Sequence, residues 1–213
     1  ILVIEIALES VSDGFFLLLK IFSFYFAAIS LFGLLRPKKP PQTEQQLRFA
    51  VLIPARNEES CIAGSVESLL AQDYPAELMD IYVIPNNCTD DTAGAARRAG
   101  ARVLEVTPTV RSKGGALREA AQILLAAKER YDAFCVFDAD NEAAPHFLTA
   151  MNQTLCTQAR VAKSRILAKN PTQSWVCACY DIYFCFANVF LNRARSVLGL
   201  SARLIGTGFG VRR

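Results

Sequence analysis

Ala133-Phe134-Cys135-Val136-Phe137-Asp138-Ala139-Asp140 decides how the rest of this chain is read. Five apolar residues in a row match a fully buried strand. The run gives way to two carboxylates one residue apart. In an open α/β sheet, ligands bind beyond the carboxyl ends of the strands. Hard cations such as Mg2+ and Mn2+ take oxygen ligands, often one or two carboxylates completed by the phosphates of a substrate. An isolated D-x-D triplet is more often a solvated turn, so its neighbours carry the argument.

Upstream of it, strands and helices alternate. Apolar runs predict strands over 49–53, 80–84 and 102–106. Helical spacing of Ile62, Val66, Leu69 and Leu70 predicts a helix over 58–72. Leu117, Ala121, Leu124 and Leu125 predict another over 113–130. Between them, Thr89 is expected to cap a short helix that Gly100 stops. Downstream, a helix over 147–156 and a strand over 161–167 precede a long apolar segment, 175–191. This order predicts an α/β domain with a mostly parallel sheet flanked by helices. There are no internal repeats and no low-complexity tracts.

Four loops then fall at one edge of the predicted sheet. Pro54-Ala55-Arg56-Asn57-Glu58 follows the first strand, and Pro85-Asn86-Asn87-Cys88-Thr89-Asp90-Asp91 follows the second. Arg111-Ser112-Lys113-Gly114-Gly115-Ala116 opens the long helix, and Asp138-Ala139-Asp140 is the fourth. Asp90 and Asp91 suit the start of a helix, where acidic side chains complement the dipole. Glycines permit close backbone approach, and a lysine meets a phosphate as a point charge.

In this order, the four loops resemble family 2 glycosyltransferases, which are inverting, nucleotide-sugar-dependent enzymes of the GT-A fold. The resemblance runs from about residue 49 to the end. It is closest to the membrane-bound branch containing cellulose, chitin and hyaluronan synthases. It implies a nucleotide-sugar site at Pro54, Arg56, Asn57, Glu58, Asn86, Asn87, Lys113, Gly114, Asp138 and Ala139. Asp138 and Asp140 are implied as catalytic residues, with Asp140 chiefly, beside Asp138, holding Mg2+ or Mn2+. Gly206, Thr207 and Gly208 are implied on the acceptor side. The family usually has an aspartate where this chain has Asn86. An Asn carbonyl can still accept from a base N–H, but it adds no charge. The family also carries an acidic pair with the general base, and the membrane synthases a Q-x-x-R-W element. Neither is in this chain. The resemblance therefore places the base beyond residue 213 and implies that 47–213 is a catalytic domain truncated at its C-terminal end. It implies a chain that binds donor better than it turns over. The implied partners are a UDP-sugar donor, a glycan or lipid acceptor, and a membrane.

Residues 15–35 are almost entirely apolar, with Lys20 the single charge, and are long enough to cross a bilayer as a helix. Arg36, Lys38 and Lys39 follow, while Glu5, Glu9 and Asp13 precede. The positive-inside rule puts the Arg36 end in the cytoplasm. Lys20 can snorkel toward the opposite interface. The expected organisation is a membrane segment over 1–36, a linker over 37–46, and a cytoplasmic catalytic domain at the cell membrane. Residues 1–8 read as the remnant of another membrane element. Segment 175–191 carries Asp181 and Asn188. It is expected to pack on the domain or lie at the membrane surface rather than cross it. The start at Ile1 and the end at Arg213 suggest a piece of a longer protein.

The remaining features exclude classes. A net charge of +3, spread along the chain, offers no basic stripe for nucleic acid. Seven cysteines without a C-x-x-C pair argue for reduced, mostly buried thiols. One histidine, His146, makes zinc a poor fit and reads as a surface or capping residue. The first loop has no glycine, which counts against a dinucleotide-binding oxidoreductase and against a sugar nucleotidyltransferase. A catalytically inactive, membrane-tethered nucleotide-sugar-binding scaffold is the alternative. Asn86 favours it; Lys113, Asp138 and Asp140 oppose it.

Overall fold

The computed structural model describes residues 2–37, 39–128, 130–201, 203–204 and 206–213, with side chains from Val11 onward. The chain divides into two compact units. One comprises Pro40–Ser164 and Leu204–Arg213; the other comprises Ile1–Lys39 and Arg165–Arg203.

The first unit is built on a six-stranded sheet. Its strands are β1 (Phe49–Ala55), β2 (Met79–Pro85), β3 (Arg102–Val103), β4 (Ala133–Val136), β5 (Val161–Lys163) and β6 (Phe209–Arg212). The order is β3-β2-β1-β4-β6-β5. The first four run parallel, and β6 is antiparallel to both its neighbours. Helices α2 (Ile62–Leu70), α3 (Thr92–Arg98), α4 (Lys113–Ala126) and α5 (Phe147–Leu155) connect them.

Why β1 is apolar throughout follows from its place. Phe49, Val51 and Ile53 enter a core with Val66 and Leu69 of α2 and Leu148 of α5. Ala50 and Leu52 point the other way, against Ala116, Ala120 and Leu124 of α4. Alternate side chains thus bury on opposite faces, each covered by helices. At the edge where β2 begins, Asp80 pairs with Arg48 (3.0 Å) and Arg102 (3.1 Å) and accepts from the Tyr131 hydroxyl (2.8 Å).

Several elements are shorter than their apolar patterns suggest. The helix expected over 58–72 starts only at Ile62, because Asn57 takes a left-handed conformation (φ 57°) and Glu58 closes a turn onto Cys61. The helix expected to 130 ends at Ala126. Strands expected over 102–106 and 161–167 pair only at Arg102–Val103 and Val161–Lys163. Asp91, not Thr89, caps α3, accepting from the Gly94 amide.

The second unit opens with α1 (Leu2–Leu31), a single continuous helix through residues read as two elements. A 3-10 turn, Phe32–Leu34, follows. The expected break at 37–41 includes Lys38, which lies outside the described residues. The second segment of this unit holds α6 (Trp175–Phe186), a π-helical stretch (Ala187–Arg193) and α7 (Ala194–Val197). A Cβ on Gly33 would collide with the Val189 carbonyl, so glycine is what lets these backbones meet. Arg193 Nε donates to the Leu35 carbonyl at 2.9 Å. Residues 165–203 thus form one compact unit with the N-terminal helix. Val11–Leu34 and Trp175–Val197 are both long and apolar enough to cross a membrane, by length and composition.

All seven cysteines are free. Only Cys135 is buried, which corrects the expectation of mostly buried thiols: Cys179 and Cys185 are exposed on α6, no residue of which is buried. His146 precedes α5 without a side-chain cap and sits 2.6 Å from the Asp73 carboxylate.

Candidate active site

The parallel register brings the strand ends together. Ala55 lies beside Pro85, and the Asn86 amide donates to the Ala55 carbonyl at 2.9 Å. The Phe137 amide donates to the Leu52 carbonyl at 3.0 Å, so β4 delivers Asp138 to the same edge. There a cleft of about 370 Å³ opens. Pro54, Arg56, Glu58, Asn86, Lys113, Asp138, Ala139 and Asp140 line it, all expected from the sequence. Ala55, Arg111 and Ala116 complete the lining and were not expected in it.

The first two loops are sewn to each other. Asn57 Oδ1 accepts from the Thr89 amide at 2.8 Å, and the Glu58 amide donates to the Thr92 hydroxyl at 2.9 Å. The Cys61 thiol donates to the Glu58 carboxylate at 3.0 Å. Burial, then this carboxylate, pushes that thiol up to about 11, so it is no nucleophile at neutral pH. Asn87, also left-handed (φ 53°), holds the second loop to the third, donating to the Val110 carbonyl at 2.8 Å.

The third loop is aimed by a helix cap. Ser112 Oγ accepts from the Gly115 amide at 3.1 Å, fixing the start of α4 and with it Lys113. A Cβ on Gly115 would press on Val110 and Ser112, while Gly114 has open space around it. Lys113 Nζ donates to Asp138 Oδ1 and, at 3.4 Å, to the Gly206 carbonyl.

Gly206, Thr207 and Gly208 reach this edge because β6 pairs with β4. The Gly208 amide donates to the Val136 carbonyl at 2.8 Å, and the Asp138 amide to the Thr207 hydroxyl at 2.9 Å. From β5, Lys163 donates to the Thr207 carbonyl. Burial pushes the Lys163 ammonium down to about 8, against the opposing pull of the Asp138 charge.

Chemically, the lining sets Arg56, Arg111 and Lys113 against Glu58, Asp138 and Asp140. Among the described residues no three His, Cys, Asp or Glu side chains gather as a metal cage. Two carboxylate groups are fewer ligands than a divalent cation takes. That donor set fits a divalent cation whose remaining ligands come from phosphate and water, not one enclosed by protein alone.

The model of the family described as glycosyltransferase like family 2 matches residues 46–212. The chain belongs to this family. Solved family 2-like structures share its fold. A mannosyltransferase from Pyrobaculum calidifontis, in complex with GDP-Man and Mn2+, gives a TM-score of 0.67 at 20% identity, covering 89% of this chain and 51% of that one. Glucosyl-3-phosphoglycerate synthase from Mycobacterium tuberculosis, with Mn2+, UDP and glucosyl-3-phosphoglycerate, gives 0.52 at 22% identity, covering 78% and 57%. At these identities the likeness is one of fold, the GT-A arrangement. A 4,4'-diaponeurosporenoate glycosyltransferase of Staphylococcus aureus (strain USA300) is 41% identical over 56 residues, which is 26% of this chain and 14% of that protein. The chain thus spans about half the length of these solved relatives, and its match covers a small part of the staphylococcal one.

Within the family 2 domain, the expected residues separate into two groups. Eight line the cleft; Asn57, Asn87, Gly114, Gly206, Thr207 and Gly208 are not in its lining. Asn57 and Asn87 brace loops, and Thr207 braces Asp138. Arg111 had a visible signal, a second cation two residues before Lys113.

Proposed function

We propose that the cleft binds a nucleoside diphosphate sugar and that the whole protein is an inverting glycosyltransferase. The observation that carries this is the meeting of Arg56, Arg111 and Lys113 with Asp138 and Asp140 at the carboxyl edge of a parallel sheet. Three cations and two carboxylates match a diphosphate that arrives with a divalent metal. A cation held by Asp138 and Asp140 would act as a Lewis acid toward the leaving diphosphate. Lys113 and Arg111 neutralise phosphate oxygens. Glu58 and Asn86, on the β1–β2 side of the cleft, hold the nucleoside. Thr207 steadies Asp138 through its amide. Gly206, Thr207 and Gly208 border the acceptor.

The acceptor is a glycan or lipid at the cytosolic face of the cell membrane. Support comes from Val11–Leu34, a candidate span followed by Arg36 and Lys39.

The test is calorimetric titration of UDP, CDP, GDP and ADP into the full chain, with and without Mn2+, beside Asp140→Asn. The expected result is binding of at least one nucleotide that Mn2+ strengthens and the variant weakens. If none binds under either condition, the reading fails.

A further inference from the structure

Thr207 sits between Gly206 (φ +56°) and Gly208 (φ +65°), two glycines in the left-handed region. Such a backbone does not hold itself, because glycine leaves that conformation as readily as it enters it. Here three successive carbonyls are each gripped by a side chain. Gly206 accepts from Lys113 at 3.4 Å, Thr207 from Lys163, and Gly208 from the Ser164 hydroxyl at 2.8 Å. The middle residue is the one that reaches the site. Thr207 is only 7% exposed, and its hydroxyl accepts from the Asp138 amide at 2.9 Å. Lys163 is not in the cleft lining. It is nevertheless linked to Asp138 through one residue, from ammonium to Thr207 carbonyl and from Thr207 hydroxyl to Asp138 amide.

We propose that Lys163 is a positioning residue: by holding Thr207 from behind, it sets the Asp138 carboxylate for a divalent cation. The proposal rests on the reading above, in which Asp138 and Asp140 hold that cation. Groups that orient a ligand from outside the coordination sphere typically change metal affinity about tenfold or more when lost. The competing account is charge alone, since the Lys163 ammonium feels the Asp138 charge. The two accounts have opposite signs. Removing a nearby positive charge favours a cation at Asp138. Removing the bond that positions Asp138 disfavours it.

Four substitutions separate positioning from a merely structural role. Lys163→Met gives up the bond to the Thr207 carbonyl, and Thr207→Val gives up the bond to the Asp138 amide. Thr207→Ser keeps the hydroxyl. Ser164→Ala loosens the next carbonyl, that of Gly208, and leaves both bonds of Thr207 in place.

The experiment is titration of Mn2+ alone into the full chain, followed by electron paramagnetic resonance, for the wild type, the four variants and the Lys163→Met, Thr207→Val double. Lys163→Met is expected to weaken Mn2+ binding about tenfold, and Thr207→Val at least as much. The double should lose no more than Thr207→Val alone, because the two bonds form one chain. Thr207→Ser should keep the wild-type affinity. Ser164→Ala should lower the midpoint of chemical denaturation and leave Mn2+ affinity unchanged. The proposal is overturned if Lys163→Met binds Mn2+ as tightly as the wild type or more tightly, or if its loss adds to that of Thr207→Val. It is also overturned if Ser164→Ala weakens Mn2+ binding as much, since a loosened sheet edge would then suffice. A wild type that binds no Mn2+ alone overturns it too, and leaves the nucleotide reading to the calorimetric test above.

Discussion

The Lys113 ammonium donates to the Asp138 carboxylate, tying the first turn of α4 to the loop after β4. Their side chains are 44% and 32% exposed, so the pair adds little to stability. Its consequence is chemical. Each partner masks a charge that a diphosphate and its cation would otherwise meet. A bound nucleotide offers phosphate to Lys113 and leaves Asp138 to the metal. Lys113→Met should therefore weaken nucleoside diphosphate binding by about tenfold to a hundredfold, the loss of a hydrogen bond to a charged group. The same variant should tighten Mn2+ binding in the absence of nucleotide, because Asp138 loses its competitor. Calorimetric titration of the nucleotide reads the first, and Mn2+ titration followed by electron paramagnetic resonance reads the second. Weakened Mn2+ binding would show that Lys113 orients Asp138 instead of masking it.

Gly208 is held where a side chain does not fit. Its φ is +65°, and a Cβ there would run into the Ser164 hydroxyl. That hydroxyl and the Ser164 amide both donate to the Gly208 carbonyl at 2.8 Å, closing β5 onto β6. Gly208→Ala should destabilise the sheet unit by about 1–2 kcal/mol from the left-handed backbone alone, plus the clash. Adding Ser164→Ala removes the clash but not the strain. The double variant should thus recover part of the loss in chemical denaturation, unless the cost is purely conformational.

What could be read from the sequence was what short-range pattern encodes. β1 and β4 are buried on both faces, so they appear as unbroken apolar runs, and the loops after them follow. The features that escaped depend on partners remote in the chain. Lys113 meets Gly206 across 93 positions, and Asn86 is set by Asn87 and Val110. No window of ten residues contains either. The helix expected at 58 failed to start there because Asn57 enters a left-handed turn and its side chain holds the second loop. Asp181 and Asn188 counted as obstacles to burial in a bilayer. Yet the Asp181 carboxylate accepts from the Ala168 amide at 3.4 Å, and Asn188 donates to the Ile166 carbonyl at 2.6 Å.

Lys163 makes a pH-dependent contribution to stability. Burial lowers its folded value from 10.5 to about 8. Below about pH 8 the ammonium is charged in both states and its desolvation weighs against folding. Between there and its ordinary value, the unfolded chain binds more protons than the folded one. Stability from this group therefore rises with pH across that window. Lys163→Met keeps the length, loses the charge, and gives up the bond to the Thr207 carbonyl. Denaturation midpoints at about pH 7, 8.5 and 9.5 should show the wild type gaining on the variant as pH rises. A constant difference would mean that Lys163 titrates at its usual value.

Trp175 is the chain's single tryptophan, and it opens α6 with 79% of its surface exposed. Tyr180, Ile182, Tyr183 and Phe186 are exposed on the same helix, and no α6 residue is buried. So large an apolar surface calls for a cover. Arg165, Lys169, Arg193, Arg195 and Arg203 carry the positive charge of this segment, against Asp181 alone. An anionic bilayer matches both the apolar surface and the charge. In vesicles containing anionic lipid, the Trp175 emission of the full chain should move to shorter wavelength. Lipids brominated near the headgroup should quench it, and aqueous iodide should not, because a tryptophan at a helix start favours the interface. Because α1 is also long and apolar enough to enter the vesicle, binding alone decides nothing about α6. Emission that stays water-like and open to iodide would place α6 outside the lipid.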